Sequence, residues 1–235
     1  LNISHAGSPF MTSYSRSGDT FTAMTTPASL PPSAEHGCAM SGDGTYLLVT
    51  YGTTPFITIY KRSGNQYVAL PTPSVIPTGL PTGASFSQDG NFLAVSSNVT
   101  PFLLLFDRDG DDFNLIENPV PNPSVGINGC AYSQDGKFLA VSFDAPPFLD
   151  IWKRTGTNFA LTPPQADPPP AVANALAFAG AGGYLGIATV TSPFMRSYRS
   201  VTPFDEATQF ILPDREGADA ATAVVNTSSF IKAST

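Results

Sequence analysis

Hydrophobic residues along the chain fall in short runs separated by turn-forming residues. Between residues 130 and 161, four such runs are predicted to be strands, at 130–133, 138–142, 148–152 and 158–161. The first turn carries Asp135-Gly136, where glycine adopts positive φ at no steric cost. No segment of useful length repeats its apolar residues with the period of a helix. The pattern therefore predicts a chain built from short antiparallel strands.

The second and third strands of each group are apolar on both faces. In residues 56–60, alternation places Phe56 and Tyr60 on one side of the strand and Ile57 and Ile59 on the other. A sheet with one solvated face would alternate apolar and polar residues instead. We therefore expect each sheet to lie between two similar sheets.

The same unit recurs along the whole chain with a fixed period. The dipeptide Pro-Phe returns every 46 residues (55 − 9 = 46), which sets the phase of the repeats at Pro9, Pro55, Pro101, Pro147 and Pro193. Asp-Gly pairs and an aromatic position keep the same step. Five repeats account for 230 of the 235 residues (5 × 46 = 230).

Four strands in each unit, a period of 46 residues and burial on both faces are typical of β-propeller blades. The predicted fold is an all-β β-propeller of five four-stranded antiparallel blades, in one domain spanning residues 1–235. It either closes as a five-blade ring or belongs to a larger ring. A β-solenoid is the competing interpretation, but its repeats are shorter and lack the hairpin turns.

Both ends of the chain are copies of the second strand of a repeat. Residues 1–4 and 230–233 therefore compete for one place in the ring, and unpaired strand edges are rarely left open. The Leu-x-Ile-Ser pattern at the start matches the pattern of residues 93–96 better than residues 231–234 do. We expect residues 1–4 to pair with the next strand of the sheet and the last residues of the chain to lie at the sheet edge.

The string from Ser87 to Pro123 resembles a WD-repeat-like propeller blade, and the similarity covers all five repeats. More narrowly, the combination of an Asp-Gly turn, "FLAVS", Pro-Phe and an Arg-x-Gly turn resembles repeats of bacteriophage virion proteins and bacterial surface proteins. The chain departs from true WD repeats because Trp152 is the only Trp and the Gly-His pair is missing. The resemblance therefore implies the architecture and not the partners of WD-repeat proteins.

Composition excludes several partners. The formal charge of −7 leaves no basic surface for nucleic acid or for acidic membranes, and only 12% of residues are charged. No apolar run approaches the roughly 18 residues of a membrane helix, so no membrane insertion is expected. The chain opens at Leu1 without an initiating Met or a signal peptide, so we expect a piece of something longer. The resemblance to bacteriophage virion and bacterial surface repeats implies a location on a virion, outside the cell or at the cell surface.

The loops between the second and third strands vary while their flanks repeat, and variable loops on a rigid scaffold often carry recognition. The candidate ligand-binding residues in or beside these loops are His5, Tyr51, Asn98, Phe143 and Asp144. Aromatic rings beside amide and carboxylate groups suit a sugar. The structural alternative is that the rings pack on neighbouring blades.

Other candidate sites have a simpler structural interpretation. Asp107 to Asp112 resembles a calcium loop, but it lacks the final Glu and aligns with plain hairpin turns in other repeats. Four of the seven Arg share one register, which predicts a structural role such as bonds to turn carbonyls or to a nearby Asp, with an anion-binding ring as the alternative; they are Arg16, Arg62, Arg108 and Arg154. His5, Glu35 and His36 are too few for a metal site, so no metal or other cofactor is expected.

Cys38 and Cys130 also share a register, since they lie 92 residues apart (2 × 46 = 92). The blades that carry them are not neighbours, so their Cα atoms lie beyond the reach of a disulfide. We expect two buried thiols that are not oxidised to a disulfide.

Two functions from different classes follow. The main expectation is a non-enzymatic virion component for host attachment, decoration or assembly, whose partners are other structural proteins, further copies of itself or a cell-surface glycan. The alternative is a propeller-type hydrolase such as a lactonase. The predicted innermost strands offer no set of inward carboxylates: Cys38, Ala39 and Met40 are matched by Ala84, Ser85 and Phe86. The sequence therefore identifies no catalytic residue, and the chain is not expected to be an enzyme.

Overall fold

A computed structural model describes residues 1–5, 7–33, 35–116, 119, 121–165, 167–179, 183–200 and 210–211. In these ranges the chain forms nineteen β-strands in five antiparallel sheets and no helix. No helix that could span a membrane is therefore found among the described residues. The chain divides into two compact units, Leu1–Asn118 and Pro119–Thr235. The expectation of one domain spanning 1–235 stays a prediction.

The first unit holds three sheets, which we call blades 1 to 3. Blade 1 consists of β1 (Asn2–Ser4), β2 (Met11–Ser17) and β3 (Thr20–Ala23). Blade 2 consists of β4 (Glu35–Met40), β5 (Tyr46–Tyr51), β6 (Ile57–Ser63) and β7 (Gln66–Ala69). Blade 3 consists of β8 (Pro81–Phe86), β9 (Phe92–Ser97), β10 (Leu103–Asp109) and β11 (Asp112–Leu115).

The second unit holds two sheets, blades 4 and 5. Blade 4 consists of β12 (Ile127–Tyr132), β13 (Phe138–Phe143), β14 (Leu149–Thr155) and β15 (Asn158–Leu161). Blade 5 consists of β16 (Ala173–Ala179), β17 (Tyr184–Thr189), β18 (Met195–Ser200) and β19 (Phe210–Ile211). In every blade the strands pair in chain order, each antiparallel to the next. The predicted all-β propeller of five repeated blades is confirmed.

Blade 1 differs from the others because it has three described strands. Its β1 takes the place of the second strand and pairs with β2 from Asn2 opposite Ser13 to Ser4 opposite Met11. The expectation that residues 1–4 hold the ladder is therefore confirmed. Residues 230–235 lie outside the described residues, so the predicted competition between the two ends stays a prediction.

A repeated serine organises the turn between the first two strands of blades 2, 3 and 4. In blade 4, the Ser133 hydroxyl donates to Asp135 Oδ1 at 2.6 Å and accepts from the Phe138 amide at 2.9 Å. Gly136 then adopts a φ of 68°, which glycine tolerates without a steric penalty. This network fixes the hairpin that the Asp-Gly pairs predict.

The Pro-Phe dipeptide forms a tight turn between the second and third strands. The peptide bond before Pro55 is cis, and the Phe56 amide donates to the Thr53 carbonyl at 2.7 Å. Phe56 and Phe148 have φ of 68° and 65°, so they belong to the turn, and the third strands of blades 2 and 4 begin one residue later than the sequence predicts. The bonds before the other four repeat prolines are also cis: Pro9, Pro101, Pro147 and Pro193.

The core of each unit lies between adjacent blades. Leu48, Ile57 and Ile59 of blade 2 pack with Leu93 and Phe106 of blade 3, and all five are at most 2% exposed. The opposite face of blade 2 packs on blade 1, through a cluster that holds Met11, Leu47, Val49, Tyr51, Tyr60 and Tyr67. The second and third strands of blade 2 are therefore covered on both faces, as predicted.

The second unit repeats this packing. Phe138, Ala140, Leu149 and Ile151 of blade 4 meet Leu185, Ile187 and Tyr198 of blade 5, and every one of these side chains is at most 3% exposed. One face of each blade thus fits the opposite face of the next blade in both units.

Candidate functional site

The first unit contains a cavity of about 300 Å³ between blades 1 and 2, on the side where the hairpin turns lie. Its polar lining comprises Tyr14, Arg16, Ser41, Asp43, Arg62 and Tyr67. Its apolar lining comes from Leu1, Met24 and Met40. The volume is at the lower end of the range for small-molecule sites, and the lining is more polar than apolar.

Two guanidinium groups line this cavity because Arg recurs at the end of the third strand. Arg16 Nε donates to the Gly18 carbonyl at 2.7 Å, and Arg62 Nε donates to the Gly64 carbonyl at 3.4 Å. These bonds confirm the predicted attachment of the Arg series to turn carbonyls. Neither Arg uses its Nη groups in a hydrogen bond to the described part of the chain, so both keep donors for an anion.

The matching Arg of blade 3 is fully engaged. Arg108 Nη2 donates to Asn91 Oδ1 at 2.7 Å, and Nη1 donates to the Gly110 carbonyl at 2.7 Å and to the Tyr46 hydroxyl at 3.3 Å. Its guanidinium also lies 4.8 Å from the centre of the Tyr46 ring. In blade 2 the position of Asn91 is taken by Thr45, whose hydroxyl bonds to Asp43. This substitution leaves Arg62 with spare donors.

Asp43 supplies a carboxylate at the cavity wall. Its Oδ1 accepts from the Ser41 hydroxyl at 2.7 Å and the Thr45 amide at 2.9 Å, and its Oδ2 accepts from the Thr45 hydroxyl at 2.6 Å. Burial by itself would raise the pKa of Asp43, but the bonds from Thr45 and Ser41 together hold the pKa below its usual value. The side chain is therefore an ionised acceptor at neutral pH, with about one of its four lone-pair sites unused.

Tyr67 forms the floor between the two charges. Its hydroxyl donates to the Gly44 carbonyl at 2.8 Å, and its ring is 3% exposed. Burial raises the pKa of Tyr67; the positive charge of Arg62 lowers it to a smaller extent, and the negative charge of Asp43 raises it slightly further. Tyr67 thus stays neutral and gives the cavity an apolar wall with one fixed polar end.

A second charged cluster joins blades 2 and 3. Lys61 Nζ lies 2.7 and 2.8 Å from the two carboxylate oxygens of Asp111, and the Tyr46 hydroxyl donates to Asp111 Oδ1 at 2.8 Å. Asp111 follows Gly110, whose φ is 60°, in the hairpin between β10 and β11. The segment from Asp107 to Asp112 is therefore a hairpin turn, as its alignment with other repeats predicts. Asp111 binds Lys61 and Tyr46 of blade 2, so the cluster acts as an inter-blade contact.

Three of the residues expected to bind a ligand are at least partly accessible. His5 is half-buried and uses both ring nitrogens, at 2.7 Å from the Gly7 carbonyl and 3.1 Å from Thr12 Oγ1. Asn98 and Asp144 are exposed, and Asp144 Oδ1 accepts from Asn128 Nδ2 at 2.8 Å. No contact among the described residues joins any two of these three side chains. Their role in ligand binding stays a prediction.

The two aromatic residues of that set require a correction. Tyr51 is 1% exposed and Phe143 is 2% exposed. The Tyr51 ring packs in the core between blades 1 and 2, and its hydroxyl lies 2.9 Å from both the Ile57 carbonyl and Thr58 Oγ1. Stacking on a sugar needs an exposed ring face, which neither residue offers. The structural alternative, packing inside the propeller, describes both.

The two cysteines are not joined by a disulfide, and their environments differ. Cys130 is buried, as expected, whereas Cys38 is exposed. The two thiols therefore differ in burial although they occupy the same position in the repeat. In the described ranges, no three His, Cys, Asp or Glu side chains come close enough to hold a metal ion.

The comparisons with known proteins bear on the fold. No family model matches the sequence, and the comparison with curated proteins gives no match either. Among solved structures, the chain is similar to the crystal structure of a putative 6-phosphogluconolactonase from Bacteroides uniformis, with a TM-score of 0.60 and 17% identity. The match covers 86% of this chain and 63% of the other, so the chain spans less than two thirds of that protein's length.

This similarity corrects the main functional expectation. The structure it matches is described as a lactonase, which agrees with the alternative of a propeller-type hydrolase. The expectations of a non-enzymatic virion protein and of a chain without enzymatic function are therefore wrong. The narrower resemblance to bacteriophage and bacterial surface repeats, and that to WD repeats, find no support in these comparisons.

The sequence shows the Arg residues and the Asp-Gly turns that line the cavity, but it did not predict that they come together there. The Arg register and the Asp-Gly turns were both visible, and both have structural roles in every blade that carries them. What distinguishes blade 2 is Thr45 in the place of Asn91. A comparison of the repeats at that position could have shown which Arg lacks its local partner.

Proposed function

We propose that the chain is a propeller-type hydrolase that opens a lactone carrying an anionic group, in the cavity between blades 1 and 2. The observation that carries the proposal is the pairing of two guanidinium groups with one ionised carboxylate in a cavity of about 300 Å³. The similarity of fold to a putative 6-phosphogluconolactonase supports this reaction class over others.

The guanidinium groups would bind the anionic part of the substrate. Planar N–H donors match the oxygens of phosphate and carboxylate groups, and bonds between two charged groups are stronger than neutral ones. Arg16 and Arg62 come from two blades and keep their Nη donors for this purpose. An anion bound between them would orient the lactone ring toward the Asp43 side of the cavity.

Asp43 would accept a proton from the attacking water. The water oxygen bonds to the lactone carbonyl carbon, the proton passes to Asp43, and the ring carbon–oxygen bond breaks. The released alkoxide takes that proton back from Asp43, so one lactone and one water give one hydroxy acid and the carboxylate is regenerated. A carboxylate with a lowered pKa is a weak base, and this suits a strained cyclic ester better than an amide.

The direction of the Asp43 pKa shift fixes the expected pH dependence. Because hydrogen bonds hold the pKa of Asp43 below its usual value, the carboxylate is ionised throughout the neutral range. Activity that depends on it should be constant across that range and fall only as pH drops through the lowered pKa.

Hydrolysis of a phosphorylated sugar lactone, compared with the same lactone without phosphate, tests the proposal. Acid release at constant pH is measured against the uncatalysed rate. We expect acceleration for 6-phosphogluconolactone and a much smaller effect on gluconolactone. Arg62→Gln should raise KM by about tenfold or more, since a charged hydrogen bond contributes roughly 1.5–3 kcal/mol.

Arg154→Gln is the matched control, since Arg154 has the same register and donates to the carbonyls of Gly136 and Gly156. It should leave KM unchanged. A wild-type rate equal to the uncatalysed rate for both lactones would refute the proposed function. Equal losses in the two Arg variants would show that Arg62 acts on the fold.

A further inference from the structure

The Arg at the end of the third strand is held by two turn carbonyls in blades 3 and 4. In blade 3, Arg108 Nε donates to the Gly90 carbonyl of the first turn at 2.9 Å, and Nη1 donates to the Gly110 carbonyl of the second turn at 2.7 Å. In blade 4, Arg154 makes the same two bonds, to the carbonyls one period further along the chain, at 2.7 and 2.8 Å. The guanidinium of each of these blades is thus fixed between its two turns.

Arg62 of blade 2 departs from this arrangement. Its Nε donates to the Gly64 carbonyl of the second turn at 3.4 Å, a long bond to the acceptor that Nη1 reaches in the other two blades. In the described part of the chain, Arg62 makes no hydrogen bond to Gly44, whose carbonyl is the first-turn acceptor of blade 2. Arg62 is also exposed, whereas Arg108 and Arg154 are half-buried. Its guanidinium is therefore not fixed to the first turn.

The Gly44 carbonyl has a different donor. The Tyr67 hydroxyl donates to it at 2.8 Å. The first-turn glycine has a φ of 71° in blade 2 and of 69° and 68° in blades 3 and 4, so the three turns share one conformation. Tyr67 corresponds to Phe113 and Phe159 (67 + 46 = 113; 113 + 46 = 159), which have no hydroxyl. Of these three blades, blade 2 alone can satisfy the first-turn carbonyl from this position.

Tyr67 and Arg62 lie side by side in blade 2. They are cross-strand partners in β6 and β7, so their side chains are on the same face of the sheet. Both line the cavity, together with Gly44. The Tyr67 ring is 3% exposed and packed in the core between blades 1 and 2, whereas the Arg62 side chain is exposed. The fixed hydroxyl therefore keeps the carbonyl, and the mobile guanidinium points elsewhere.

The change at Thr45 does not release Arg62 by itself. Thr45 replaces Asn91, which accepts from a single Nη group of its Arg. In blade 4 the same place is taken by Lys137, yet Arg154 still donates to both turn carbonyls. Loss of the Asn is thus compatible with a fixed guanidinium, and a second difference is needed to explain blade 2.

We propose that Tyr67 is a positioning residue, whose hydroxyl occupies the Gly44 carbonyl and so leaves the Arg62 guanidinium available to an anion in the cavity. The residue acts through Arg62 and not on the reacting atoms. The inference rests on the proposed function for the identity of the ligand, an anionic group, and adds the reason why this Arg can bind it.

Binding of inorganic phosphate, measured by isothermal titration calorimetry, tests the proposal without hydrolysis. Tyr67→Phe introduces the residue type that blades 3 and 4 carry at this position, so the fold should tolerate it. Arg62 should then bond to the Gly44 carbonyl, and phosphate must displace that bond. We expect the Kd for phosphate to rise by about two- to tenfold, the range that corresponds to one net hydrogen bond.

Tyr60→Phe is the matched control. Tyr60 is 0% exposed in the same core cluster, and its hydroxyl donates to the Ser29 carbonyl at 3.1 Å. This variant also loses a bond from a buried tyrosine to a backbone carbonyl, but one that does not compete with Arg62. It should bind phosphate like wild type.

A double-mutant cycle separates positioning from a general loss of structure. In the Arg62→Gln background, Tyr67→Phe should leave the Kd for phosphate unchanged, because the hydroxyl acts only through that guanidinium. An equal effect of Tyr67→Phe in both backgrounds overturns the proposal. An unchanged Kd in the single variant, or a wild type that does not bind phosphate, overturns it as well.

Hydrolysis by the same variants distinguishes this inference from the proposed function. For the phosphorylated lactone, Tyr67→Phe should raise KM and leave kcat unchanged, since it weakens binding of the anion and not the reaction. Weaker phosphate binding in Tyr67→Phe, with no hydrolysis by wild type, would support the inference and refute the function. Hydrolysis by wild type, with KM and the phosphate Kd unchanged in Tyr67→Phe, would support the function and refute the inference.

Discussion

At the residue scale, blades with the same framework differ through single substitutions. In blade 3, Asn91 accepts a hydrogen bond from the Arg108 guanidinium. In blade 2, the Thr45 hydroxyl bonds to Asp43 instead, and the Arg62 Nη groups make no hydrogen bond to the described part of the chain. The turn, the strand ends and the Arg stem are the same in both places. A site can therefore arise in one repeat without a new backbone feature.

The two cysteines offer a test at this scale. They share a register, but Cys38 is exposed and Cys130 is buried. We expect one thiol per chain to react quickly with a thiol reagent and the other to react only on opening of the fold, because reactivity requires access. Cys38→Ser should remove the fast phase, and Cys130→Ser should retain it. Two thiols reacting at equal rates would contradict the structure.

At the element scale, two turns with the same side-chain contacts recur from blade to blade. The first turn is closed by a serine hydroxyl that joins an aspartate to a strand amide, at Ser41, Ser87 and Ser133. The second turn is closed by the Arg of the third strand. The sequence predicted both turns from Asp-Gly and Arg-x-Gly, because these residues have strong local preferences.

Replacing one of these serines tests the role of the turn. Ser133 is 1% exposed, so Ser133→Ala removes a buried acceptor from the Phe138 amide and a donor to Asp135. We expect a loss of about 1–3 kcal/mol in the free energy of unfolding, measured by denaturant titration. Ser63→Ala, at an exposed position in β6, should change it by less than about 0.5 kcal/mol. Similar values for the two variants would mean that the hydroxyl network is not stabilising.

Some features of the elements could not be predicted from sequence. The side-chain alternation does not say whether Tyr51 and Phe143 face a loop or a neighbouring blade, since both lie at the end of a strand that is buried on both sides. Their burial depends on the blade that packs on them, which is a tertiary property.

At the scale of the whole molecule, the repeat determined most of the fold prediction. The constant step of 46 residues, with the hairpin turns and the apolar strands inside it, predicted the strand order, the antiparallel pairing and the burial between blades. Function was not predictable from the repeat, because residues that only stabilise the turns recur with the same period as any residue that binds a ligand. Asp43 has the same bonding pattern as Asp89, so only the cavity beside Arg16 and Arg62 sets it apart.

The central claim is that Asp43 acts in catalysis and not only in its turn, and the ratio of kcat for Asp43→Asn and Asp89→Asn tests it most directly. Asp89 is a matched control because it accepts from Ser87 at 2.6 Å, the Asn91 amide at 3.1 Å and the Asn91 side chain at 2.9 Å. Both variants should lose similar stability. The account predicts that kcat for the phosphorylated lactone falls by about 100-fold or more in Asp43→Asn alone, the usual size of a general-base contribution. Equal kcat values in the two variants would contradict it.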